Sequence, residues 1–341
     1  MTRVVYTDPA WAVDGRGALD PALATIERAA LGDGVDLGLG VRRDGRFLLD
    51  GPEFERHVAG ADALVVYRAR VTARLLDAVG PSCRVVARQG VGLDNLNAEL
   101  LRARGLWGFH VPDYCGDEVS THTLALALAL ERGVCVQDRL VRDGAWNIHA
   151  GRIPRRTAGL TAGVVGFGRI GRATSRKLHA CYGRVLAYDP YVPADLMASH
   201  GVTSCASTAE LFAASDVVVL HPELTAKTTR LVDRDVLRAA RPGALLVNTA
   251  RGGLVDLPAV LDALRDGRLG GFASDVFSPE DPNDDEVGRA LLRRADVIVT
   301  AHRAFLSAES EASLRRRVAD GVAHVLRDDA PRPAASPTRV C

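Results

Sequence analysis

The stretch from Thr161 to Gly171, TAGVVGFGRIG, restricts the possible folds of this chain more than any other. Residues 163–165 form a short apolar strand that runs into glycines at 166, 168 and 171, and a helix rich in Ala, Arg and Lys follows. Three glycines at this spacing mean little alone; between a strand and a helix they describe a turn that receives a pyrophosphate. Gly166 permits the tight turn, Gly168 lets the anion approach the backbone, and Gly171 allows the helix to pack closely on the strand. The helix amino terminus, opened by Arg169 and Ile170, then offers its unpaired N–H groups to the phosphates. Eighteen residues after Gly171 a second strand, Arg184–Tyr188, ends at Asp189. A carboxylate there accepts both ribose hydroxyls and repels a 2′-phosphate, which points to NAD, with NADH preferred over NADPH. A second reading of Asp189, as a turn residue ahead of Pro190, stays open, and Arg169 and Arg184 would soften the preference.

The rhythm of strand and helix continues through GRVLAYDP, SDVVVLHP, GALLVNTARG, GGFASDVF and ADVIVTAH, so that six strands in one stretch predict a complete doubly wound parallel sheet. Upstream, apolar runs at residues 4–6, 63–67 and 84–87 alternate with helix-like segments at 21–30 and 72–79, which predicts a second parallel α/β unit. With 341 residues the chain exceeds the size of a single core, and two domains are expected. Residues 112–116 interrupt the pattern, and THTLALALALERGV follows. Its leucines alternate as in a strand, but a long run of strong helix formers predicts a helix, apolar nearly all round and therefore buried between domains or subunits. A charged helix over residues 309–326 and a polar, proline-rich tail that frays close the chain.

Composition excludes several classes. Lys+Arg 43 against Asp+Glu 42 leaves a net charge of +1, too little to attract nucleic acid or an anionic membrane. No apolar window is long enough to span a bilayer, so a soluble, cytoplasmic protein is expected. The six cysteines show neither CxxC nor clustering with histidines, which favours reduced thiols over disulfides or a metal site. Cys115, in PDYCGDE, is reactive only if its loop lines a cleft.

Three polar residues stand at or just past the ends of late strands: Arg251 after GALLVNTA, Glu280 after FASDVFSP and His302 after VIVTA. Ligand crevices of open parallel sheets lie at such ends, and a guanidinium fork suits a carboxylate. Taken singly, Arg251 also reads as a loop cap and His302 as a core histidine. Together with RQGVGLDNLN at residues 88–97, GFGRIG, YDPY, HPELTAKTT, NTARGGLVD, SDVFSPE and TAHRAF, they resemble the D-2-hydroxyacid dehydrogenase family over nearly the whole chain.

That resemblance implies two Rossmann-like domains, an NAD-binding domain at residues 116–304 inserted in a substrate domain at residues 1–115 and 305–341. It also implies a homodimer joined through the cofactor domain. Arg251 would hold the carboxylate of a small 2-keto acid, His302 would protonate the ketone oxygen, and Glu280 would favour the imidazolium. His221 and Thr225 would belong to the adenosine side of the cofactor site, and Thr249 and Asp275 would lie near its nicotinamide and ribose. Tyr67, Arg68, Arg88, Val91, Gly92 and Phe305 would form the substrate side. If Arg68 and Arg88 have no partner, the substrate carries a second anionic group; if they pair with acids such as Asp94 or Asp113, they only shape the cleft.

Some positions depart from the pattern: Ala301 and Asp281 replace prolines, and HPELT shifts a third. Glu280 argues against a formate dehydrogenase, which carries glutamine there, and Val91 against a phosphite dehydrogenase-like oxidase, which carries lysine. An alternative of another class is an NAD(H)-sensing corepressor-like scaffold with little turnover, toward which RQGVGLDN and YDPY lean.

Overall fold

A computed structural model of the chain describes residues 1–327; the proline-rich tail lies outside them. Two compact units divide the chain, one of Met1–Tyr114 with the segment from Ser307, the other of Cys115–Leu306.

The first unit holds β1 (Thr2–Tyr6), β2 (Val35–Leu39), a small antiparallel hairpin of β3 (Arg42–Arg43) and β4 (Arg46–Phe47), then β5 (Ala63–Val66), β6 (Val85–Arg88) and β7 (Trp107–His110). Its five-stranded parallel sheet has the order β2-β1-β5-β6-β7. Strands covered on both faces become continuous apolar runs, and β5 and β6 are buried throughout. Alternation then sorts their side chains. Val5, Leu64, Val66 and Val86 pack with Phe54, Val58, Leu75 and Leu76 of the helices Gly51–Val58 and Ala73–Val79. Val4, Tyr6, Val65 and Ala87 pack on the other face with Leu31, Leu314, Val318 and Val322 of the helices Thr25–Leu31 and Ala308–Arg327. The charged carboxyl-terminal helix thus completes the core of a sheet that begins at Thr2. The sequence pattern reveals β1, β5 and β6 but not β2 or β7, two edge strands that are only half-buried along their length and carry Asp36, Gly38, Gly108 and His110 among their apolar residues.

The second unit holds β8 (Thr161–Val165), β9 (Arg184–Tyr188), β10 (Thr203–Ser204), β11 (Val217–Leu220), β12 (Ala244–Asn248), β13 (Leu269–Ser274) and β14 (Val297–Val299). They form one parallel sheet in the order β10-β9-β8-β11-β12-β13-β14. The order reverses between β8 and β11, which makes their carboxyl ends the switch point of a doubly wound sheet. The seventh strand, β10, is a two-residue edge that the six-strand expectation lacks. The long helix Gly116–Arg132 buries Thr123, Leu126, Ala127 and Leu130 on this sheet, while Leu124 and Leu128 are half-buried and Ala125 is exposed. Within its own unit the helix is therefore one-sided, with its other face half-buried or exposed. Gly133, at φ 63, ends it in the left-handed conformation.

Cys83, Cys115, Cys135, Cys181 and Cys205 form no disulfide among the described residues, and Cys115 is only 2% exposed, which removes the access a reactive thiol needs. Among the described residues no single helix is long and apolar enough to cross a membrane, and no group of three His, Cys, Asp or Glu could hold a metal ion.

Candidate active site at the carboxyl ends of three adjacent strands

Arg251, Glu280 and His302 follow β12, β13 and β14, which are neighbours in the sheet. The turn that carries Arg251 is built by Asn248, fully buried at the end of β12. Its Nδ2 donates to Arg251 O at 2.9 Å, and its Oδ1 accepts from Ala250 N at 3.1 Å. The half-buried Arg251 donates from NH1 to Ala250 O at 2.7 Å. Gly252 follows because nothing larger fits: a Cβ there would fall on the carbonyl of Phe277, so the Arg251 turn is pressed onto the segment that leads to Glu280.

His302 adopts φ 49, a left-handed conformation that costs a non-glycine residue about 1 kcal/mol. Asp275, 1% exposed, holds it there. The Asp275 carbonyl accepts from His302 N at 2.7 Å, and its carboxylate accepts from Arg303 N and Ala304 N at 2.9 Å each and from the Thr300 hydroxyl at 2.5 Å. The imidazole Nδ1 lies 2.5 Å from Glu280 Oε1. A carboxylate can only accept, so Nδ1 carries the hydrogen and Nε2 is the nitrogen left to exchange a proton. Asp281 stands at a position where the resemblance implies a proline; its Oδ1 accepts from Asn283 N at 2.9 Å and caps the short turn Pro282–Asp284.

At the switch point Gly166 has φ +85, and a Cβ on it would lie 2.7 Å from Pro222 N. A Cβ on Gly171 would strike the carbonyl of Gly166, whereas nothing lies within 4 Å of one on Gly168. The helix Arg169–His179 begins there without a side-chain cap, Arg169 exposed and Ile170 half-buried. A crowded first and third glycine with open space over the second and bare helix N–H groups fit a dinucleotide pyrophosphate. The Asp189 carboxylate accepts from Phe167 N at 2.8 Å and Tyr191 N at 2.9 Å, so it organises the glycine turn and retains lone pairs for a ribose. His221 lies beside Gly166; its Nε2 is buried without a hydrogen-bond partner, and burial pushes its pKa down to about 3, keeping the ring neutral. Thr225 is exposed in a turn closed by Thr228, and the buried Thr249 meets Thr123 Oγ1 at 2.7 Å.

The expected substrate-side residues other than Phe305 belong to the first unit. Arg68 and Arg88 have partners: Arg68 Nε bonds Asp8 Oδ2 at 2.9 Å, and Arg88, 6% exposed, bonds Asn95 Oδ1 at 3.3 Å and the carbonyl of Gln89. The acid that holds Arg68 is thus Asp8, and Asp113 pairs with Arg317. Asp8 at the end of β1 also accepts from Tyr67 N and Arg68 N, at 3.2 and 3.0 Å, so it fixes the whole Tyr67–Arg68 corner. Val91 and Gly92 are half-buried, with the Val91 carbonyl 2.8 Å from His110 Nδ1. Phe305 is half-buried just past His302, in the second unit.

Asn248, Thr123, His122 and Asp8 escape a reading of the sequence. Polar residues at an apolar strand's last position or in a leucine-rich helix are the signal that marks three of them.

Residues 124–304 match the model of the D-isomer specific 2-hydroxyacid dehydrogenase NAD binding domain. The D-3-phosphoglycerate dehydrogenase of Mycobacterium bovis is 34% identical over 303 residues, 88% of this chain and 54% of that one. The chain therefore spans about half the length of the first curated relatives it matches. The (S)-sulfolactate dehydrogenase of Chromohalobacter salexigens is 37% identical over 271 residues, 79% of this chain and 85% of that one. The apo-structure of D-lactate dehydrogenase from Escherichia coli superposes with a TM-score of 0.78 at 26% identity, covering 98% of this chain and 99% of that one. With these matches added to its fold and its three strand-end residues, the chain belongs to the D-isomer specific 2-hydroxyacid dehydrogenase family.

Proposed function

We propose that the protein is an NAD-dependent D-2-hydroxyacid dehydrogenase that interconverts a small D-2-hydroxy acid and its 2-keto acid. The observation that carries this reading is the His302 imidazole, tied by Nδ1 to Glu280 and presenting Nε2, on the strand next but one to that of Arg251. The Gly166–Gly171 turn and Asp189 would hold NADH, which supplies a hydride to C2 of the keto acid. Arg251 binds the substrate carboxylate and polarises the ketone oxygen. His302 Nε2 delivers the proton that this oxygen takes up and receives it back in the oxidation, and Glu280 stabilises the imidazolium.

A second anionic group on the substrate is favoured by relatives named for a phosphoglycerate and a sulfolactate. It does not follow from Arg68 and Arg88: Arg68 is paired with Asp8 and flanked by the rings of Phe47 and Tyr67, and the buried Arg88 bonds Asn95, so both shape their own corner of the first unit. NADH is preferred over NADPH because of Asp189, and reduced cysteines accord with a cytoplasmic location. Val134, Val141, Trp146, Ile148 and Ile153 are exposed within one short segment of the NAD unit, an apolar patch suited to a second copy of the chain, and the mass in solution should be that of a dimer.

Near-ultraviolet absorbance of NADH mixed with a panel of mono- and dianionic 2-keto acids tests the reading. Consumption should be fastest with a dianionic acid, and His302→Ala should lower kcat by about 10² or more with NADH affinity retained. NADH binding without consumption of any acid would refute the enzyme and favour a nucleotide-sensing scaffold.

A further inference from the structure

The helix Gly116–Arg132 is rich in leucine and alanine except for the polar run Ser120-Thr121-His122-Thr123. The first two hydroxyls fold back onto Asp117 O, at 2.9 and 2.8 Å, and Thr123 meets Thr249. His122 reaches past the end of β14: its Nε2 lies 3.0 Å from Thr300 Oγ1 and 3.7 Å from Asp275 Oδ1.

The hydrogens can be assigned by counting donors. Thr300 has one hydroxyl hydrogen, and it goes to Asp275, whose carboxylate also takes the backbone N–H groups of Arg303 and Ala304. Thr300 Oγ1 is then an acceptor toward His122, so His122 Nε2 carries a hydrogen and donates it. The chain runs from His122 Nε2–H to the Thr300 hydroxyl to the Asp275 carboxylate. Among the described residues no arginine or lysine pairs with this buried carboxylate. The same carboxylate and its backbone carbonyl fix residues 302–304, including the left-handed His302.

We propose that His122 is a positioning residue for His302. Its Nε2–H orients the Thr300 hydroxyl onto Asp275, and Asp275 holds the loop in the one conformation from which His302 meets Glu280. A tie that merely fastened helix to sheet would need no donor at this point, since Leu126, Ala127 and Leu130 already do so by packing.

The kinetic part of the test rests on the dehydrogenase reading; the exchange part does not. In His122→Leu, kcat should fall on the order of 10- to 100-fold with KM for NADH unchanged, as expected for a displaced proton donor. Backbone amides of His302, Arg303 and Ala304 should exchange with solvent about tenfold faster, while those of β12 keep native protection. His122→Gln, which retains a donor at similar reach, should restore most of both, and Thr300→Val should reproduce the leucine variant without adding to it. Native kcat and exchange in the leucine variant, protection lost evenly across the sheet, or glutamine no better than leucine would each overturn the proposal. If His122→Leu does not fold, the glutamine and Thr300→Val variants decide. A wild type that consumes no 2-keto acid would sink the dehydrogenase reading and leave the exchange comparison to judge His122.

Discussion

Two carboxylates of the NAD unit are almost wholly buried, and they are held in opposite ways. Glu131 lies toward the amino ends of the strands. Its oxygens accept from Arg155 N, Nε and NH2 at 3.0, 3.2 and 2.7 Å and from Arg152 NH1 at 3.4 Å. Arg155 and Arg241 also reach Asp216, which accepts from the first backbone N–H of β8. Asp275, at the carboxyl ends, is met by two backbone N–H groups, a hydroxyl and the more distant His122. At the first end charge cancels charge, through guanidiniums that can follow a moving partner. At the second, two backbone N–H groups of the loop that carries His302 are among the donors, so the place of the charge and the place of His302 are one quantity. The first arrangement stabilises; the second aligns.

The contrast is broken or sharpened by substituting each acid with its amide. Asp275→Asn should have the largest effect: the amide turns one oxygen into a donor facing another donor, and kcat should fall on the order of 10²-fold because the loop must shift. Glu131→Gln should leave kcat near native and cost about 2 kcal/mol of stability, some 30-fold in the folding equilibrium. The figure is below that for a fully enclosed pair because Arg152 and Arg155 keep 36% and 31% of their side chains exposed. Denaturant titration and steady-state kinetics on both variants check this, and a kcat loss in Glu131→Gln as deep as in Asp275→Asn would abolish the distinction. Burial acts to raise the pKa of Glu131, but the hydrogen bonds and charge of Arg155 and Arg152 outweigh it and hold the group below its usual value. A lowered carboxyl contributes stability above its unfolded pKa and loses it as pH falls through the folded value. The stability gap between wild type and Glu131→Gln should therefore close on acidification below the usual glutamate range. The smallest effect is expected at Asp189, whose replacement by Ala should narrow the preference for NADH over NADPH by about tenfold, read as the ratio of kcat/KM values; an unaltered ratio would assign Asp189 to the glycine turn alone.

Much of the NAD unit is legible in the order of its amino acids. Strands buried on both faces become unbroken apolar runs, and Gly166 and Gly171 are forced by crowding that any chain with this turn must meet, so β8, β9 and the strands leading to Arg251, Glu280 and His302 stand out. Half-buried edges such as β2 and β7 carry no such run. Side-chain partners are harder to read. Proximity along the chain suggests Asp94 or Asp113 for the guanidiniums at 68 and 88, yet Arg68 bonds Asp8, 60 residues away, because parallel pairing of β1 with β5 brings their ends together. His122 and Thr300 are 178 residues apart and meet only once the long helix lies on the sheet.

The crowding at Gly252 has a mechanical consequence. Because a Cβ there would meet the carbonyl of Phe277, the Arg251 turn lies directly against the segment 277–280. On the proposed reading, a pull on the guanidinium by a bound carboxylate would reach Glu280 along that segment, and with it the His302 imidazole that Glu280 bonds. Anchoring a ligand and seating a proton donor would in that sense be geared together, and a substitution at residue 252 would strip the gear rather than adjust it.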